Sequence, residues 1–373
     1  MSAIYSWLRA PTLSTIAFLT LLLSCGGNND SSGTADLGTR PLAEAPCLPR
    51  PPGAAEATPG LFSPAYTESS VWLADSGGGS QRKLIAGTNP QWSPDGQWLA
   101  FSDGTFDGLH FRGSLCVVRG DGTGVRQIGP FFHGDTRSEC TGGTRYSWSQ
   151  DASILVYESD NSTYTVSVND SSARGQEIMH GAVSSLSPDG KGLAFSGSEP
   201  VENEPLGHRL YCGIWMTDIE NSNNRQFLFP RGTSPAFSPD GARIAYVNGP
   251  RVMIGDANGG APLVAAQMSA DETVDVIRRL AWSPDGQRIA FPYDSPGNGG
   301  PVVYVVNPDG EGEPVEIGEG AEFAWSPDSK RLLLSKYQGA LFIADAKYGE
   351  PENIGTGQSP SWSPDGTTIA FAR

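Results

Sequence analysis

Seven copies of one short motif run through this chain, and a chain with that periodicity has few ways to fold. Trp92-Ser93-Pro94-Asp95-Gly96 recurs as Trp282-Ser283-Pro284-Asp285-Gly286 and as Trp362-Ser363-Pro364-Asp365-Gly366. Weaker copies start at Trp148 (WSQDA), Leu186 (LSPDG), Phe237 (FSPDG) and Trp325 (WSPDS). Successive starts lie 56, 38, 51, 45, 43 and 37 residues apart. A short apolar run follows each, such as Trp98-Leu99-Ala100-Phe101 or Ile289-Ala290-Phe291.

The motif carries its own turn chemistry. Ser opens the turn, Pro presets the backbone at the second position, and Gly at the fourth tolerates a left-handed conformation. The segment therefore reverses the chain between two antiparallel strands, and the aromatic or Leu before it points into the layer between neighbouring sheets. A second hairpin follows in each unit, with clear cases at Arg119-Gly120-Asp121-Gly122, Gly255-Asp256-Ala257-Asn258-Gly259 and Asn307-Pro308-Asp309-Gly310. Four short strands per unit is the content of one propeller blade. Composition agrees: 47 Gly and 29 Pro make about a fifth of the chain, against roughly 12% in ordinary proteins.

The two ends complement one another. The last copy supplies only two strands before the chain stops at Arg373, while Val71–Ala74 and Arg82–Ile85 precede the first copy without a turn motif. Joined, they make a seventh blade and remove the open sheet edges. The expected fold is all-β: a single seven-bladed β-propeller of four-stranded blades over residues 66–373, closed by pairing N- and C-terminal strands.

With these residues in view, the units resemble the TolB-like, WD-like propeller repeats of bacterial envelope proteins, with a W-S-P-D-G-x-x-[IL]-A-[FY] core. The resemblance covers about residues 70–373 and implies the fold far more strongly than any one function. Residues 26–65 are too poor in apolar content to form the extra N-terminal domain of TolB itself.

The N-terminus speaks to location. Residues 1–24 hold no acidic residue, one basic residue (Arg9), and an apolar run over 13–23, too short for a span of about 20 residues but of signal-peptide length. Leu22-Leu23-Ser24-Cys25-Gly26 resembles a bacterial lipobox, which implies cleavage before Cys25 and its acylation. Residues 25–65 are rich in Gly, Ser, Pro and Ala and read as a flexible tether, with a reach of roughly 35 Å. The expectation is an exported protein anchored by lipid in the cell envelope, at the outer membrane, facing periplasm or surface.

Catalytic signatures are sparse. The chain has no G-x-S-x-G, HExxH, Walker loop, EF-hand loop or C-x-x-C, so no cofactor, metal or catalytic residue is assigned. The formal net charge of −16 argues against nucleic acid as a partner. The Asp of each turn reads as a turn former. Four histidines, His110, His133, His180 and His208, map to loops and blade connections on one face, opposite the motif turns, with Asp107, Asp135 and Glu139 near in sequence. Beyond Cys25 there are Cys47, Cys116, Cys140 and Cys212, an even number with three possible pairings, as suits an oxidising compartment. Cys116 with Cys140 on the histidine face is the pairing expected, and Cys47 with Cys212 remains by elimination.

The longest repeat intervals place extra length at Gly104–Gly113, Gly129–Thr144 and Gly197–Arg209, on that same face. These stretches hold Phe106, Phe111, Phe131 and Phe132, apolar groups that suit a binding surface. The expected function is thus a monomeric, non-catalytic envelope module that binds a protein or a surface polymer through the face carrying His110, Phe131, Phe132, His133, His180 and His208. The alternative is a propeller enzyme, a hydrolase or lyase acting on carbohydrate or peptide from the ring mouth.

Overall fold

The serine of the motif is present in every copy for a physical reason. Its hydroxyl donates to the turn Asp at 2.5–2.6 Å and accepts the backbone N–H five residues on at 2.8–2.9 Å. The same Asp oxygen accepts a second backbone N–H at 3.0–3.1 Å. Each reversal is closed by the bond from the fourth residue to the serine carbonyl, 2.8–2.9 Å long in all seven copies. The fourth residue is left-handed throughout, including Ala152 (φ 57°) and Ser329 (φ 60°), where no glycine relieves the strain. Two side chains thus fix the turn so firmly that its glycine is replaceable.

This computed structural model describes residues 69–106, 111–133, 146–159, 162–170, 174–180, 183–198, 212–269, 277, 279–294, 300–337 and 339–373. They form seven four-stranded antiparallel sheets, the blades of a ring. Blade 1 comprises Thr88–Trp92, Trp98–Phe106, Phe111–Arg119 and Arg126–His133, from the innermost strand outward. Blades 2 to 6 follow in sequence over 146–180, 183–229, 233–267, 281–319 and 322–356.

Blade 7 is composite, as the ends of the sequence implied. Its inner strands are Gln358–Trp362 and Thr368–Ala372, and its outer strands are Ser70–Asp75 and Arg82–Ala86. The seam runs in register from Val71 opposite Ala372 to Asp75 opposite Thr368. Beyond it, Ser70 and Arg373 exchange reciprocal backbone hydrogen bonds of 2.8 Å.

The core lies between blades, not within them. Val247, Val252 and Ile254 of blade 4 pack with Trp282, Ile289 and Phe291 of blade 5, and the blade 7 seam packs on Leu99 and Phe101 of blade 1. A cationic bolt repeats across these seams. Arg243, Arg288 and Arg331 each reach from one blade over the motif Trp of the next, with guanidinium carbons 4.8, 5.3 and 4.8 Å from the rings of Trp282, Trp325 and Trp362. The indole N–H groups of Trp282 and Trp325 donate back to carbonyls of the preceding blade at 3.0 Å. These aromatic plates are therefore both apolar filler and cation seat.

Blade 1 differs from expectation. Gly104–Phe106 pairs with Phe111–Gly113, so most of the stretch taken as a long loop is an extension of the second and third strands. The fourth strand follows this extension, pairing Phe131 with Gly113 and Phe132 with Arg112. Backbone pairing lowers the cost of ordering such a segment, which a free loop of the same length would lack.

Candidate functional site

Chain direction gives the ring two unlike faces. Every inner strand starts at one face and ends in a motif turn at the other. At the turn face the seven carboxylates are already bonded within their own turns, and the serine hydroxyl holds those of Asp151, Asp189, Asp240, Asp328 and Asp365 below the ordinary carboxylate range. They are structural groups, as the sequence implied.

The other face opens on a central cavity of about 480 Å³, walled by the inner strands of blades 1, 5, 6 and 7 with Tyr146 of blade 2. The position three residues before each motif aromatic falls at this mouth, and it supplies Asn89, Arg279, Glu322 and Ser359 to the wall. In blades 1, 4 and 7 that residue precedes a proline and is left-handed: Asn89 at φ 52°, Ser234 at 51° and Ser359 at 50°. A one-residue bulge accompanies each, because the register shifts between Thr88 and Gln91, Thr233 and Ala236, and Gln358 and Ser361. Proline has no N–H to give the ladder, and the bulge is where its absence is tolerated.

A hydrogen-bonded chain crosses the mouth between blades. Glu322 Oε2 accepts the Ser359 N–H at 2.5 Å and the Ser335 hydroxyl at 3.1 Å. The Ser359 hydroxyl lies 2.8 Å from Asn89 Oδ1 and 3.3 Å from Glu322 Oε1. Arg279 lies beside this chain, its guanidinium carbon 5.1 Å from the centre of the buried Phe323 ring. Its Nε is shielded from solvent and has no hydrogen-bond partner. Burial among the surrounding walls lowers the guanidinium pKa from its ordinary value, and the charge of Glu322 opposes that shift.

The residues expected to form a binding face are only partly placed. Phe131, Phe132 and His133 lie on the outer strand of blade 1 and His180 ends that of blade 2, at the mouth face by chain direction. His110, His208, Cys140 and residues 1–68, with Cys25 and Cys47, lie outside the described residues. Cys212 begins the third strand of blade 3. Cys116 is buried and disulfide-bonded. Among the described residues no group of three or more His, Cys, Asp or Glu could hold a metal ion. Sequence reasoning passed over Arg279 and Glu322. Aligning the copies on their aromatic and reading three residues back would have found both.

No protein-family model and no curated protein matches the chain. Solved structures do. An oligogalacturonate lyase from Vibrio parahaemolyticus is similar at 15% identity and TM-score 0.52, over 76% of this chain and 89% of that one. The hydrazine synthase of Kuenenia stuttgartiensis is similar at 17% identity and TM-score 0.52, over 75% and 90%. A protein assigned as TolB from Agrobacterium tumefaciens gives 18% identity and TM-score 0.45, over 82% and 98%. At these identities the two likenesses of TM-score 0.52 show the fold alone, in agreement with the seven four-stranded sheets: the chain is a β-propeller, in seven blades.

Proposed function

We propose that this chain is a non-catalytic binding module of the bacterial envelope, held by a lipid on Cys25 and a flexible tether, which presents the mouth of its channel to a protein or a surface polymer. One observation carries this reading: unlike the turn face, whose motif carboxylates are all engaged, the mouth holds an unpaired guanidinium over a cavity of about 480 Å³. Binding sites are concave and use a few convergent polar groups in this way.

The test is site-specific photocrosslinking in intact cells. A photoreactive residue at Gln358, in the mouth wall, should yield a discrete adduct, and one at Gln287, exposed on the turn face, should yield none. Adducts from Gln287 with none from Gln358 would reverse the assignment of faces. Release of soluble fragments from envelope polymer by the purified protein would instead make it a propeller enzyme.

A further inference from the structure

We propose that Arg279 anchors a binding site for a single carboxylate group, carried by a ligand narrow enough to enter the channel mouth. This rests on the mouth being the binding face and narrows that reading to a ligand chemistry.

Among the described residues Arg279 makes no hydrogen bond and no ion pair, and its Nε is buried without a partner. Arg279 is partly exposed at the cavity wall, and a buried guanidinium donor such as its Nε is unfavourable to leave unfilled, so an acceptor arriving from the cavity is favoured. Glu322 is the neighbour that would ordinarily pair with it. Glu322 Oε2 already accepts from the Ser359 N–H and the Ser335 hydroxyl, and Oε1 lies 3.3 Å from the Ser359 hydroxyl. The carboxylate is thus tied to blade 7 while the cation is left open.

Three features select the ligand. The guanidinium carbon lies 5.1 Å from the centre of the Phe323 ring, a cation–π seat, and the planar fork of an arginine matches a carboxylate with two parallel hydrogen bonds. The nearby charge of Glu322 disfavours a dianion more than a monoanion, so carboxylate is preferred to phosphate. Around the cation, Asn89, Gln91 and Gln358 line the cavity and offer amide groups to the remainder of the ligand. The volume, about 480 Å³, falls in the range of small-ligand sites. A free acid and an acidic residue of a peptide carry the same group, and the chemistry at Arg279 is the same for both.

The experiment uses the full-length protein in mild detergent, melted in 100 mM sodium acetate and in sodium chloride of equal ionic strength. Acetate should raise the Tm by about 3 °C, and neutral acetamide should not. Arg279→Met should abolish the shift, Arg279→Lys should keep less than half of it, and Glu322→Gln should enlarge it. No acetate shift in the wild type, or an undiminished one in Arg279→Met, overturns the proposal. So does inorganic phosphate that stabilises more than acetate does at equal concentration. Titration calorimetry then compares glutarate with a blocked tripeptide amide bearing one Glu, and tenfold tighter binding of either identifies the source of the group. Mouth crosslinks at Gln358 without any acetate shift would sink the carboxylate and leave the binding face standing. An acetate shift without crosslinks would do the reverse.

Discussion

Truncating Phe371 to alanine should destabilise the protein by about 3–5 kcal/mol, although the residue lies only two positions from the end of the chain. The magnitude follows from its surroundings. Phe371 is 0% exposed and packs with Leu341 and Leu333 of blade 6 and with Trp362 and Ile369 of its own blade. Its ring also lies close against Gly357, where an added Cβ would come within 2.4 Å of it. Backbone on that side cannot fold inward to fill the hole, so the cavity persists and the upper part of the range applies. For a domain of this size about 4 kcal/mol corresponds to a fall in Tm of about 10 °C. The control is Phe291→Ala at the same repeat position in blade 5, which is also 0% exposed and lies far from either end. If pairing across the seam closes the ring, the two variants should fall together in thermal and urea unfolding. A frayed end would make Phe371→Ala nearly silent. A Phe371→Ala loss below a third of the Phe291→Ala loss would refute closure by this strand. Deleting 362–373 should go further, exposing the edge of the Ser70–Asp75 strand and producing aggregation.

If the proposed lipid on Cys25 is the anchor, Cys25→Ser should release the protein from membranes, since each buried acyl CH₂ would contribute about 0.8 kcal/mol; continued sedimentation with membranes after a salt wash rejects the anchor. Non-reducing peptide maps should recover Cys116 linked to Cys140, and a Cys116 peptide joined to any other cysteine rejects that pairing. The turn carboxylates of Asp189, Asp240, Asp328 and Asp365 sit below their ordinary pKa because of the serine hydroxyls, so their stabilisation is complete above the unfolded value near pH 4 and is lost as pH falls further. Asp240→Asn should flatten that acid limb in melts taken from pH 5 to 2, and an unchanged slope would contradict the linkage.

What the sequence made legible is what the repeat constrains. The motif turns, the apolar strand after each, and the composite seventh blade all follow from residues whose spacing is fixed by local chemistry, a proline at one position and a hydroxyl and carboxylate at two others. Blade 1 was harder to read. Its extended hairpin uses Gly104, Gly113 and Gly129, residues that signal a loop by composition, yet the close backbone approach at Gly113, where a Cβ would meet Asp103 O at 2.0 Å, is why glycine is there. Tertiary fit overrode the local signal. The arginines at 243, 288 and 331 were equally visible and equally unread, because their partners sit in the next blade, some 31 to 39 residues away.

The mouth of the channel was illegible for a different reason, and that reason bears on its role. Positions that pack between blades are nearly the same in all copies, since each seam makes the same demand on them. Three residues before the aromatic that uniformity ends: Asn89, Val183, Ser234, Arg279, Glu322 and Ser359 occupy equivalent places with unlike chemistry. The seams make no single demand there: Glu322, Ser359 and Asn89 join blades through hydrogen bonds, Ser234 is buried and donates its N–H to Ser196, and Arg279 Nε has no partner. Left-handed Asn89, Ser234 and Ser359 at the same level are the bulges that admit the following proline. A position freed from the repeat, with an unpaired Arg279 in one blade, is what the proposed binding role calls for.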